Sequence, residues 1–124
     1  MADERAKILL VEDEVGYQEL AASLLSAEYD VTVCSTAEDA CEKLDQEEFA
    51  LVISDINMFG MTGLELLAKL KREGKSEKCP VVLCSAQSDP ATKQIAMAQG
   101  AAGFIGKPFP IAQLTTLVAA LLSK

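Results

Sequence analysis

The stretch LVISDINMFG, residues 51–60, decides the architecture. Leu51, Val52, Ile53 and Ser54 read as a buried strand, and Asp55 ends it with a carboxylate. An acid at that point could cap a helix, shape a turn or react, and the strand alone does not separate these roles. Next comes TGLELLAKLKREG (62–74), a helix pattern with Leu64, Leu67, Ala68 and Leu70 on one face and Gly74 as its stop.

Outward from this pair the same unit recurs. KILLVED (7–13) is a short strand before EVGYQELAASLLSAE (14–28), where Tyr17, Leu20, Ala21, Leu24 and Leu25 fall at helical spacing. YDVTVCS (29–35) is β-prone, and TAEDACEKLDQEE (36–48) opens on a capping pattern, Thr36 with Asp39 or Ser35 with Glu38. CPVVLCSA (79–86) is a strand with Pro80 at its start, followed by a helix with Asp89 as cap, Pro90 in its first turn and Gly100 as stop. AAGFIG (101–106) is a fifth strand, and PIAQLTTLVAALL (110–122) a fifth helix. Strand and helix alternate five times, which predicts parallel strands joined by right-handed crossovers with helices on both faces. An open, doubly wound five-stranded α/β sheet in one domain covering residues 1–124 is the expectation; a closed eightfold barrel needs about twice the length.

Composition removes several classes of function. The chain has no histidine, so His-based acid–base catalysis and Cys/His zinc sites are out. Cys34, Cys41, Cys79 and Cys84 form no CxxC pair, and three of them sit in or beside apolar runs, as buried free thiols do in a reducing compartment. The first strand is flanked by acids, unlike a signal peptide, and no apolar run reaches membrane-spanning length. A cytoplasmic protein without membrane insertion is expected. Net charge is −8, with fourteen of the nineteen acids before residue 49 and no Lys/Arg stripe anywhere, which argues against nucleic acid as a partner.

In a doubly wound sheet, ligands gather beyond the carboxyl ends of the strands. Those ends carry Glu12 and Asp13, Asp55, Ser85 and Lys107, residues far apart in sequence that only the fold can bring together. Three crowded carboxylates repel unless a cation neutralises them, and an all-oxygen set suits Mg2+. Lys107 adds a point charge and Ser85 a hydrogen-bond donor, a group able to stabilise phosphoryl transfer by position and electrostatics. Asp side chains also accept phosphoryl groups covalently, so Asp55 is a candidate nucleophile.

With these residues in hand, the chain resembles the receiver domains of two-component response regulators, especially the stand-alone chemotaxis type. ILLVEDE, LVISDINMFGMTGLELL, VVLCSA and GFIGKPF match the family's segments in order and spacing over nearly the whole chain. The resemblance implies strand order 2-1-3-4-5 and a phosphorylation-activated switch, with Asp55 as phosphoacceptor. It implies Mg2+ held by Asp13, Asp55 and the Asn57 backbone carbonyl, with Glu12 acting through bound water. Ser85, the Ala86 N–H and Lys107 would bind the phosphoryl oxygens. Ser85 and Phe104 would form the switch, and Asn57 and Gln87 would tune dephosphorylation. A sensor histidine kinase or phosphotransfer protein would be the donor, and a phosphatase a further partner. The face of helix four, strand five and helix five would dock a target, and no output domain is expected after residue 124.

Three positions depart from the family pattern: Phe59 replaces a usual proline, Thr62 a usual acid and Phe104 a common tyrosine. The alternative is a pseudo-receiver, an interaction module that never takes phosphate. A dehalogenase-type hydrolase would want a second acid at the position of Asn57, and a nucleotide binder a glycine-rich loop where VEDEVG (11–16) stands. Such an enzyme is not expected; any catalysis is self-directed.

Overall fold

The computed structural model describes residues 5–86, 90–107 and 111–122. Five strands, β1 (Lys7–Val11), β2 (Asp30–Cys34), β3 (Leu51–Asp55), β4 (Val81–Ser85) and β5 (Gly103–Gly106), alternate with five helices. The helices are α1 (Val15–Leu25), α2 (Ala37–Gln46), α3 (Gly63–Arg72), α4 (Pro90–Ala98) and α5 (Ile111–Leu122). The sheet is all parallel, in the order β2-β1-β3-β4-β5, as expected.

Every residue of β3 and β4 is buried, because helices cover the sheet on both faces. Side chains alternate between two apolar clusters. Leu9, Val11, Val52 and Leu83 pack on one face with Leu66, Leu67 and Leu70 of α3. Ile8, Leu10, Ile53 and Val82 pack on the other with Ala21 and Leu25 of α1 and Leu114 and Val118 of α5. The buried stripe of α3 differs from the sequence expectation at Leu64, Leu66 and Ala68. Leu66 is fully buried while Leu64 and Ala68 are only half-buried, because the helix turns its 63–66–67–70 face to the sheet.

Helix ends follow local chemistry. Thr36 caps α2 by accepting the Asp39 N–H at 3.0 Å, which settles the choice between the two capping patterns. Gly74, past the end of α3, has φ 74°, a conformation glycine adopts without steric cost. The Asp89 cap and Pro110 lie outside the described residues. All four cysteines are free thiols, and Cys34, Cys79 and Cys84 are buried. No helix among the described residues is long and apolar enough to cross a membrane.

Candidate functional site

Strand register brings the site together. Val11 pairs with Ser54, Asp55 with Cys84, and Ser85 with Gly106, so the ends of β1, β3, β4 and β5 share one rim. Glu12 prolongs β1: its N–H donates to the Cys34 carbonyl at 2.9 Å, and its own carbonyl accepts Gln18 Nε2 at 2.5 Å. The Lys107 N–H donates to the Ser85 carbonyl at 2.9 Å, which ties the residue after β5 to the end of β4. Glu12, Asp55, Ser85 and Lys107 are all buried, whereas Asp13, Asn57 and Ala86 are exposed.

Lys107 is the electrostatic centre. Its Nζ lies 2.5 Å from Glu12 Oε1, 3.1 Å from Asp55 Oδ2 and 3.9 Å from Glu14 Oε1. Glu12 Oε2 accepts the Glu14 N–H at 3.0 Å, so both oxygens of this carboxylate are engaged. Burial pushes the Asp55 and Glu12 carboxyls above their ordinary values, against the opposing pull of the Lys107 ammonium. The Asn57 N–H also bonds the Asp55 carboxylate and favours its charged form. Burial alone would lower Lys107, yet its bonds to Glu12 and Asp55 outweigh that and raise it.

Glu12, Asp13 and Asp55 each bring a carboxylate oxygen within 4.8 Å of the others. Three carboxylates against one ammonium leave an excess of negative charge, and the donors are all oxygen. The cluster therefore fits a hard divalent cation and is a potential metal site.

The loop between β3 and α3 is closed by its own bonds. The Gly63 N–H donates to the Ile56 carbonyl at 2.9 Å, and a Cβ on Gly63 would stand 2.3 Å from the Asp55 carbonyl oxygen. Thr62 and Glu65 form a complete capping box on α3, so threonine here supplies the cap that an acid could supply at the same position. Glu38 of α2 accepts the Met61 N–H at 3.2 Å. Ile56 and Met58 are buried and anchor the loop, while Phe59 at its tip is 91% exposed. Phe104, on β5, is half-buried and packs against the cluster that holds α3. Gln87 lies outside the described residues.

Of the residues expected from sequence, Glu12, Asp13, Asp55 and Lys107 come together, with Ser85 beside them on the same rim. Sequence reading missed Glu14, Tyr17, Gln18, Glu38 and Gly63. The first three sit on or just before the first turns of α1, where helical geometry points them back at the end of β1; that placement was the available signal. Glu38 and Gly63 act through contacts that no local pattern contains.

A sequence profile of the response regulator receiver domain matches residues 8–119. The chain belongs to this family. Response regulator protein FleR of Pseudomonas aeruginosa is 40% identical to this receiver over 115 residues, 92% of the chain and 24% of FleR. Among solved structures, chemotaxis protein CheY4 of Vibrio cholerae superposes with a TM-score of 0.87 at 28% identity, covering 95% of this receiver and 99% of that chain. NtrX of Brucella abortus superposes with a TM-score of 0.86 at 33% identity, covering 95% of this receiver and 27% of NtrX. The receiver spans about half or less of the length of FleR and of two further curated relatives (24%, 38% and 53%). The acidic cluster lies where the receiver fold gathers its site, which supports function as a phosphorylation-based switch. Receiver domains catalyse only their own phosphorylation and dephosphorylation, and the fold and cluster of this chain agree with that.

Proposed function

We propose that this receiver is a signalling switch in which Asp55 takes a phosphoryl group from the phosphohistidine of a sensor histidine kinase or a phosphotransfer protein. One observation carries the reading: a buried Asp55 carboxylate at the sheet rim, 3.1 Å from the Lys107 ammonium and inside an acidic cluster. A carboxylate oxygen of Asp55 bonds to phosphorus as the P–N bond breaks, and the donor imidazole leaves with the electron pair and takes up a proton. Asp13, Asp55 and the Asn57 carbonyl would hold Mg2+, with Glu12 acting through bound water. When bound, Mg2+ supplies neutralisation of the charge on the phosphoryl oxygens. Lys107 meets one phosphoryl oxygen and Ser85 another, assisted by the Ala86 N–H. Asn57 and Gln87 tune the approach of the water that removes the group.

Output follows from a two-state element biased by that local charge. Ser85 moves toward the phosphate and the Phe104 ring turns inward, changing the face of α4, β5 and α5. An open groove of about 620 Å³ on that face supports a docked target; Lys93, Met97, Phe104, Gln113 and Leu117 line it. Likeness to CheY4 over 99% of that chain supports the chemotaxis-type reading. A cytoplasmic location and a phosphatase as a further partner are part of the same proposal.

Intact-mass measurement with acetyl phosphate and Mg2+ tests the acceptor. Wild type should gain one phosphoryl mass and D55N none; no gain in wild type would leave an interaction module that never takes phosphate. For the cation, Mg2+ alone at ten times its Kd should raise the melting temperature of wild type by about 5 °C, and that of D13N far less.

A further inference from the structure

Tyr17 stands in the first turn of α1, half-buried against the cluster that α1 shares with α5. Its ring centre lies 4.2 Å from Lys107 Nζ, with the ammonium over the ring. The same ammonium bonds Glu12 and Asp55, and its side chain is only 2% exposed. Little water reaches it, which is the condition under which a cation–π contact is strongest. The contact also differs in kind from the other two. A hydrogen bond to a carboxylate weakens as soon as the ammonium shifts, whereas a ring face attracts a cation over a broad area. When Asp55 bonds to phosphorus its carboxylate gives up charge, and Lys107 must turn from Asp55 toward a phosphoryl oxygen. Glu12 and Glu14 both pull it away from that path, Glu14 toward solvent, since its side chain is 65% exposed.

We propose that Tyr17 is a positioning residue for phosphoryl transfer to Asp55, its ring face holding the Lys107 ammonium at the rim while Lys107 changes partner. This rests on the reading of Asp55 as acceptor. The bland alternative is that the ring only fills space against α5. The two differ in what matters about the side chain: filling space needs its volume, whereas positioning needs the electron-rich face.

The test uses the full chain with acetyl phosphate as donor. Y17F keeps the ring and should phosphorylate at the wild-type rate. Y17L should be slowed about thirtyfold, the worth of one desolvated cation–π contact. In case Y17L fails to fold, pentafluorophenylalanine at position 17 keeps ring and shape while draining the face of negative potential, and it should be slowed like Y17L. A second readout needs neither phosphate nor metal. In NMR spectra the Lys107 ε-methylene protons should be shifted upfield by the ring current in wild type and Y17F, and lie at ordinary lysine positions in Y17L. Wild-type rates in both Y17L and the fluorinated variant would overturn the proposal, as would slowing in Y17F equal to that in Y17L or an unshifted Lys107 signal in wild type. Should wild type take no phosphoryl group while its Lys107 signal is shifted, the acceptor reading has failed, and the proposal fails with it although the contact is real.

Discussion

Lys107 Nζ sits closer to Glu12 Oε1, at 2.5 Å, than to Asp55 Oδ2, at 3.1 Å, so the ammonium leans on Glu12 more than on the proposed acceptor. Removing it leaves two buried carboxylates facing each other. K107M should lose about 3 kcal/mol of stability at pH 7 in Mg2+-free buffer. Burial already raises both carboxyls, and the loss of the ammonium raises them further. Groups raised in the folded state leave stability intact below their unfolded pKa and lose it as pH rises. The deficit of K107M against wild type should therefore shrink toward pH 4 and grow toward pH 7. Urea melts across that range would show it, and a deficit that does not change with pH would contradict the assignment.

Gly63 is required for space rather than for backbone conformation, because its φ is not positive while a Cβ would meet the Asp55 carbonyl at 2.3 Å. G63A should cost at least about 2 kcal/mol and slow acetyl phosphate labelling, since the displaced backbone belongs to Asp55, the proposed acceptor. Gly16, in the first turn of α1, has open space instead: a Cβ there would meet no heavy atom within 4 Å. G16A should be neutral or stabilising by up to about 1 kcal/mol. Denaturation of the two variants side by side checks both halves.

Thr62 caps α3 through a reciprocal pair with Glu65. T62A should cost about 1 kcal/mol, and T62D should stay within a few tenths of wild type, because aspartate accepts the same N–H. Equal losses in T62A and T62D, measured in urea, would mean that the methyl group rather than the cap matters.

Burial pushes the Cys79 thiol up to about 11. The unfolded chain loses this proton near pH 9 and the folded one near 11, so the contribution is full below pH 9 and falls as pH rises between the two values. About 2 kcal/mol should be lost over that interval in wild type beyond what C79A loses, since all other titrating groups are common to both. Parallel pH–stability curves for the two proteins would contradict it.

Much of this protein is legible before folding is considered. Strand and helix periods, the Thr36 cap and the Gly74 stop are written in neighbouring residues, because hydrogen bonds and apolar spacing within one element act over a few positions. From these the alternation of elements follows, and from alternation the parallel sheet and its reactive rim. Even the departure at Thr62 has a local explanation, since the box with Glu65 lies within four residues.

Other features exist only once the strands are in register. Leu66 rather than Leu64 is buried because helix rotation is set by the sheet beneath it. Glu38 meets Met61, and Tyr17 meets Lys107, across gaps that no periodic pattern spans. Chain order already places acids, a hydroxyl and an ammonium at the ends of neighbouring strands. Which carboxylate the ammonium leans on, and which ring lies beneath it, depends on how the folded elements pack. Charge attraction and burial depend on ångström separations, and those are set by packing.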